Sequence, residues 1–176
     1  MDHTDHVNLI KPAGLEQGGS WADLGAGSGA FTLALREVLG AFADIHAVDK
    51  DSSSLQQLER EHRIRFGETG NLHLITGDFS RTLQLPLLDG IIAANSFHYF
   101  KDRRKILQHV QSYLKPGGTL IVIEYNTDSG NPWVPYPFSF QTFRTLAVEA
   151  GFAEPRLIAT HPSNFLREFY SAITHR

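Results

Sequence analysis

Residues 20–31 contain the pattern that constrains the fold of this chain most. An apolar strand-like run at 20–24 leads into a loop with glycines at 25, 27 and 29, and a helical pattern follows. Glycine permits backbone angles that other residues avoid and lets a ligand press against bare main chain. The following helix directs its unpaired amides and the positive end of its dipole to the same place. The pattern predicts a nucleoside-containing ligand between a strand and a helix.

Asp23 distinguishes this loop from one that binds a pyrophosphate. Its carboxylate lies two residues before Gly25, where it would repel a phosphate and attract an ammonium group. The glycine loop favours a carboxylate, and Asp23 favours a cation. S-adenosylmethionine carries both groups on its amino acid part, so the residues favour this cofactor.

Length and composition limit the classes of protein that need to be considered. A chain of 176 residues with 41% hydrophobic content predicts a single domain, 1–176, with a full core. The chain has no cysteine, which excludes disulfides, thiolate zinc clusters and cysteine nucleophiles. The polar N-terminus and the lack of an apolar run of about 20 residues predict a cytoplasmic protein with no membrane partner.

The net charge of −3 gives no general attraction to polyanions, which argues against a nucleic-acid substrate. The basic cluster at 101–105 is typical of a solvated helix face. Among the nine histidines, only His3 and His6 have ligand-like spacing, and we expect them in a flexible terminus. We therefore expect no metal site.

Apolar strand-like runs alternate with segments of helical period, which is typical of a parallel sheet covered by helices. The predicted strands are 20–24, 44–48, 72–76, 90–94, 119–125, 156–160 and 165–173. The predicted helices have inward-facing apolar residues within 31–38, 55–62, 106–114 and 140–150. Asp51 or Ser52 is predicted to cap the second helix, Asp102 to open the third and Ser139 to cap the fourth. A turn is predicted at 67–70, and 115–118 is expected to end the third helix abruptly after Leu114.

Two segments outside this alternation are candidates for the substrate side. Residues 1–17 predict a short N-terminal cap. Residues 126–138 are rich in Asn, Gly, Pro and aromatic residues and predict a long loop. Its aromatic part, which includes Trp133, would offer a surface for a flat or apolar small molecule.

Five motifs in order resemble the class I S-adenosylmethionine-dependent methyltransferases, particularly their small single-domain, type 11/25-like branch. The motifs are residues 23–29, Asp49, residues 77–79, residues 89–98 and residues 115–118. The resemblance covers about residues 18–174 and implies a Rossmann-like three-layer sandwich. Its seven-stranded, mostly parallel sheet would have the order 3-2-1-4-5-7-6, with strand 7 antiparallel and helices on both faces. The implied activity is in-line methyl transfer to a small-molecule acceptor, leaving S-adenosylhomocysteine.

The resemblance also assigns cofactor-binding candidates. They are Asp23, Gly25, Ala26, Gly27, Ser28, Gly29, Asp49, Lys50, Asp78, Phe79, Asn95 and Ser96. The loop residues 25–27 would pack against the methionine part, and Asp23 would help hold its ammonium group. Cofactor and acceptor would lie over the carboxyl ends of the strands, at the switch between strands 1 and 4.

The remaining candidates would hold the nucleoside and the reacting groups. Asp49 would accept from both ribose hydroxyls, with Lys50 beside it. Asp78 would accept from the adenine amino group while Phe79 covers the ring, although Asp78 could instead cap the turn into the next residues. The pair at 95–96 leaves strand 4 where the sulfonium and the acceptor must meet.

A hydroxyl or carbon-acid acceptor must lose a proton, and a base with a pKa near neutrality would help. His98, just after strand 4, is the candidate catalytic residue, with Glu124 and Tyr125 as rivals. The alternative for His98 is a residue of the pocket wall.

Two other function classes remain open. Gly25-x-Gly27-x-x-Ala30, with Asp49 about twenty residues on, also fits an NAD(P)-binding Rossmann oxidoreductase. Asp23 and the lack of a Tyr-x-x-x-Lys pair argue against it. The second class is a non-catalytic cofactor-binding or scaffold module with a methyltransferase fold. The sequence leaves open the acceptor, the atom methylated and the oligomeric state.

Overall fold

A computed structural model describes residues 1–67 and 71–176. The strands are β1 (Ser20–Leu24), β2 (Asp44–Asp49), β3 (Leu72–Thr76), β4 (Leu88–Ala94), β5 (Leu114–Tyr125), β6 (Arg156–Ser163) and β7 (Arg167–His175). The helices are α1 (His3–Ile10), α2 (Ala30–Leu39), α3 (Ser52–Phe66), α4 (Arg103–Gln111) and α5 (Phe140–Glu149), and single 3-10 turns cover Lys11–Ala13 and Phe97–Tyr99.

The seven strands form one sheet in the order β3-β2-β1-β4-β5-β7-β6. Neighbouring strands from β3 to β5 pair in parallel, and β7 runs antiparallel to both β5 and β6. This confirms the predicted strand order and the antiparallel seventh strand. The carboxyl ends of β1, β2 and β4 therefore meet at one edge of the sheet.

Helices cover both faces of the sheet, as predicted for a three-layer sandwich. On one face, apolar side chains of α1 and α2, such as Ile10 and Leu35, pack against Ile45 and Ile121, and α3 packs beside them. On the other face, α4 and α5 pack against the opposite side of β4, β5 and β7. Within the described ranges, no helix is long and apolar enough to cross a membrane.

Polar side chains fix three predicted helix starts. Asp51 accepts from the backbone N–H of Ser53, and the N-caps of α4 and α5, Asp102 and Ser139, accept in the same way. Such caps satisfy amides that have no partner within the helix. Gly67 ends α3 with a φ of +77°; the rest of the turn predicted at 67–70 lies outside the described residues.

The predicted break between α4 and β5 is wrong in one respect. Leu114 satisfies a helical period but begins β5, where it is buried and pairs with Leu88. The pairing then shifts, so that Thr119 is opposite Gly90, and the intervening residues form an irregular stretch in which Gly117 has a φ of +76°. β4 also begins two residues earlier than predicted. β6 ends three residues later than predicted, and β7 is displaced by two residues at both ends.

The expectation of a flexible N-terminus is also wrong. Asp2 and Asp5 form a reciprocal capping box that starts α1, and Leu9 and Ile10 at its end are buried. His3 contacts Glu37 of α2 at 2.6 Å. The first residues are thus part of a packed helix, because their apolar side chains have a core to enter.

Candidate functional site

The glycine loop packs so closely against its neighbours that a side chain at Gly25 or Gly29 would clash with them. Gly25 has a φ of +85°, and a Cβ built on it would lie 2.7 Å from Cβ of Ser96. A Cβ on Gly29, at φ +96°, would clash with Cδ1 of Leu58. The backbone N–H of Gly25 donates to Val48 of β2 at 2.9 Å. These contacts hold the loop against the carboxyl ends of β1 and β2.

A cavity of about 330 Å³ opens at this edge of the sheet. Its lining consists of Gly25, Asp49, Lys50, Gly77, Phe79, Asn95, Ser96, Tyr99 and Phe100. The structure thus brings together six of the predicted cofactor-binding residues. It adds Gly77 and the aromatic rings of Tyr99 and Phe100. The cavity lies at the switch point between β1 and β4, where open α/β sheets bind ligands.

Asp49 is held rigidly at the end of β2. Its Oδ2 accepts from the backbone N–H of Gly27 at 2.8 Å, and its Oδ1 accepts from that of Asp51 at 2.9 Å. Each carboxylate oxygen has a second lone pair, so both can accept a further hydrogen bond. The carboxylate is therefore arranged to bind two neighbouring hydroxyls.

Asn95 and Ser96 supply buried polar atoms to the cavity. Oδ1 of Asn95 and Oγ of Ser96 are buried and have no hydrogen-bond partner among the residues described. Asn95 also has a φ of +52°, an uncommon conformation for a residue other than glycine. A buried polar atom without a partner is costly, and a bound polar ligand would remove that cost. Together with the aromatic rings that line the cavity, these polar atoms fit a cofactor with both polar and aromatic parts.

Phe79 and Asp78 are the residues predicted to contact adenine, and Phe79 and Lys50 line the cavity. Phe79 is buried, with its ring centroid 5.3 Å from that of Phe100. Lys50 forms a 3.1 Å ion pair with Asp78. Asp78 also accepts from the backbone N–H and the hydroxyl of Ser80; although partial burial opposes the shift, these bonds and Lys50 lower its pKa. This geometry fits the turn-capping alternative, and recognition of adenine by Asp78 stays a prediction.

Asp23 lies beneath the loop, only 1% exposed. Its Oδ2 accepts from the hydroxyl of Thr32 on α2 at 2.6 Å. Burial raises the pKa of Asp23 to about 7; the Thr32 hydrogen bond opposes this shift and the charge of Asp49 adds to it.

Of the other loop candidates, Ala26 packs in the small apolar cluster between α2 and α3, while Ser28 is exposed. Their contacts to the cofactor stay predictions.

His98 and Glu124 form a buried pair beside the cavity. Nδ1 of His98 lies 2.7 Å from Oε2 of Glu124, and the two side chains are 2% and 0% exposed. Because a carboxylate only accepts, Nδ1 donates. The other oxygen of Glu124 accepts from the backbone N–H groups of Phe97 and His98. Two of the three residues considered for the base role, 26 positions apart, thus form one unit.

This pairing leaves the second ring nitrogen of His98 available. Nε2 is buried and has no hydrogen-bond partner in the described part of the chain. With Nδ1 donating to Glu124, a neutral imidazole presents a lone pair at Nε2. The arrangement can take a proton from a group placed against Nε2.

The loop at 126–138 passes alongside His98. The backbone N–H of Tyr136 donates to the carbonyl of His98 at 2.9 Å, and Val134 and Phe138 are buried. Trp133 is 68% exposed. The loop thus supports the position of His98, and a role for Trp133 in acceptor binding stays a prediction.

Comparison with known proteins identifies the family. Residues 22–120 match the family described as a methyltransferase domain, which covers more than half of the chain. The chain belongs to this methyltransferase family. The predicted membership of the class I S-adenosylmethionine-dependent methyltransferases is thereby confirmed.

Curated relatives of this methyltransferase-family chain carry the name ubiquinone/menaquinone biosynthesis C-methyltransferase UbiE. The protein from Haemophilus ducreyi is 25% identical over 146 residues, which cover 81% of this chain and 54% of that protein. The protein from Pasteurella multocida is 27% identical over 139 residues, covering 78% and 51%. The chain therefore spans about half the length of these relatives.

Solved structures confirm the fold. The YcgJ protein from Bacillus subtilis has a TM-score of 0.78 and 15% identity, with coverage of 99% of both chains. Magnesium protoporphyrin IX methyltransferase from Synechocystis, solved with bound S-adenosylmethionine, has a TM-score of 0.73 and 15% identity, covering 99% of this chain and 77% of that one. At these identities the likeness concerns the fold alone.

Proposed function

We propose that the chain binds S-adenosylmethionine in the cavity at the carboxyl ends of β1, β2 and β4 and methylates a small-molecule acceptor. The observation that carries this proposal is the cavity itself. It places the carboxylate of Asp49, the aromatic ring of Phe79 and the polar atoms of Asn95 and Ser96, which have no partner among the described residues, around one space next to the glycine loop. The cofactor, when bound, supplies a methyl group on a positively charged sulfur that is already an activated leaving group.

The chain's own residues bind and orient the two substrates. Asp49 accepts from the ribose hydroxyls, Phe79 and Phe100 cover the adenine, and the bare backbone of Gly25 leaves room for the methionine part. A bound ammonium group would favour the charged form of Asp23, and that carboxylate would attract the ammonium through the loop. Positioning and exclusion of water supply most of the rate, because a sulfonium needs little further activation.

His98 is proposed as the general base. It would receive the acceptor's proton at Nε2, and Glu124 would stabilise the imidazolium that forms. The proton then leaves to water after the product departs. A pair buried this completely holds the ring in a single orientation, which favours transfer at one defined atom.

The relatives' names support a small-molecule acceptor. They are C-methyltransferases of ubiquinone and menaquinone biosynthesis. Since the chain spans about half of their length, we carry over only the class of reaction, methyl transfer to a small molecule, and not the named pathway.

Two matched aspartates on β2 test cofactor binding. Asp49→Asn should weaken binding of S-adenosylhomocysteine by about 10- to 100-fold in calorimetry, because hydrogen bonds to a charged acceptor are lost. Asp44→Asn at the opposite end of the same strand is the control, since Asp44 is exposed and far along β2 from the cavity. Equal affinities for the two variants would contradict the proposal.

A further inference from the structure

The geometry points to a planar aromatic acceptor, bound on a strip of rings that begins at the cofactor cavity. We define this aromatic strip as Tyr99, His98, Tyr125 and Phe165. The inference rests on the proposed function and specifies the class of molecule that would occupy the acceptor side of the same site.

The four rings follow one another without a gap. Tyr99 lines the cofactor cavity, and its ring centroid is 4.3 Å from that of His98. The His98 ring is 6.2 Å from Tyr125, which is in turn 6.0 Å from Phe165. Phe169 of β7 supports Tyr125 from below at 4.3 Å. Rings from a post-β4 turn, β5 and the β6–β7 turn thus form one continuous strip.

The two ends of the strip are open to a ligand. Tyr99 is 60% exposed and Phe165 is 51% exposed, although both are large apolar side chains. Phe165 lies in the turn between β6 and β7, where the chain needs only a short polar connection. A large ring placed in such a turn, in contact with Tyr125, is well suited to pack against a ligand ring.

The centre of the strip supplies the polar contact. Nε2 of His98 is buried and, among the residues that the structure describes, has no partner. The Tyr99 ring lies against His98 and is the more exposed of the two, so a ligand that packs on Tyr99 would lie beside the His98 ring. Burial, together with the charge of Glu124, raises the pKa of Tyr125, so its hydroxyl stays neutral and can donate. An aromatic ring with a hydroxyl or an acidic C–H fits these rings and these polar atoms together.

A pair of probes with one carbon skeleton tests this inference. We would titrate the full chain, saturated with S-adenosylhomocysteine, with 1-naphthol and separately with decahydro-1-naphthol, and measure affinity by calorimetry or saturation-transfer NMR. We expect 1-naphthol to bind about 2- to 13-fold more tightly, since aromatic pairs add about 0.5–1.5 kcal/mol beyond burial.

Phe165→Leu keeps an apolar side chain and removes the ring. It should weaken 1-naphthol by about 3- to 10-fold and leave the saturated probe and S-adenosylhomocysteine unchanged. Phe42→Leu is the matched control, because Phe42 is 89% exposed in the turn before β2, at the other edge of the sheet. In that variant both probes should bind as in the wild type.

Four results would overturn the inference. Equal affinity for the two probes, or an unchanged naphthol affinity in Phe165→Leu, would reject the aromatic acceptor while leaving cofactor binding intact. A concentration-dependent increase in mass that Phe165→Leu abolishes would assign the strip to contact between copies of the chain. Failure of S-adenosylhomocysteine itself to bind would instead reject the proposed function and this inference with it.

Discussion

Nδ1 of His98 lies 2.7 Å from Oε2 of Glu124, with both side chains almost fully buried. The carboxylate also accepts from two backbone amides of the turn that carries His98. Glu124 therefore fixes both the turn and the ring, and the proton on Nδ1 is assigned by its partner. This relationship makes Nε2 the only ring nitrogen of His98 that an acceptor could meet.

Replacement of His98 tests the base role. His98→Ala should lower kcat by about 10²- to 10⁴-fold and remove the acid limb of the pH–rate profile, while the affinity for S-adenosylhomocysteine stays unchanged. His175→Ala, at the far end of β7, is the control. Turnover retained with an unchanged pH profile would show that His98 only forms part of the pocket wall.

Glu124→Gln tests the partner of that base. The amide can still occupy the site but cannot stabilise an imidazolium, so kcat should fall while the KM for the cofactor stays constant. A variant with an unchanged kcat would contradict the role given to Glu124.

Burial of Asp23 predicts a pH dependence of stability. Its pKa is about 7 in the folded state, above the ordinary value of 3.8, so between these values the folded chain binds more protons than the unfolded chain. The contribution of Asp23 is therefore most favourable at acid pH and is lost as pH rises to 7. Asp23→Asn removes this loss. Between pH 5 and pH 8 the free energy of unfolding of the wild type should therefore fall further than that of the variant, and the two falls should differ by on the order of 2 kcal/mol.

Urea unfolding at several pH values measures this difference. Asn can still accept from the Thr32 hydroxyl through its side-chain oxygen, so packing beneath the loop is kept. Asp44→Asn on the exposed end of β2 controls for the loss of one carboxylate. Parallel curves for Asp23→Asn and wild type would show that Asp23 is already ionised in the fold.

The contact between Gly25 and Ser96 predicts an effect on cofactor affinity. A methyl group at position 25 would lie 2.7 Å from Cβ of Ser96, so Gly25→Ala should weaken S-adenosylhomocysteine by more than about tenfold, corresponding to about 1.4 kcal/mol. Adding Ser96→Gly should restore part of the affinity. Gly14→Ala matches the backbone strain, with a φ of +69° and no neighbour within 4 Å in the described residues. If it weakens binding equally, the explanation by contact is wrong.

The sequence predicted the framework well because the framework depends on local patterns. The strands β1 and β3, the caps at Asp51 and Ser139 and the glycine loop are each determined by neighbouring residues. Leu114 was misplaced because one apolar residue satisfies both a helical period and the start of a strand. The Asp2–Asp5 capping box was a readable signal that the expectation of a flexible terminus overlooked.

The site was less predictable where it depends on residues far apart in the chain. The 26-residue separation of His98 and Glu124 gives no local sign of their hydrogen bond, although each was a candidate on its own. Nothing in the sequence indicated that Phe165 belongs to the site, because its proximity to Tyr125 follows from the antiparallel pairing of β7 with β5. The burial of Asp23 depends likewise on Thr32 and the helix that follows the loop.

Calorimetric titration of the chain with S-adenosylmethionine, S-adenosylhomocysteine and NADH tests the central claim most directly. The arrangement of Asp23, the glycine loop and Asp49 predicts saturable one-site binding of both adenosyl ligands and no measurable heat with NADH. Tight binding of NADH together with no binding of either adenosyl ligand would contradict the account.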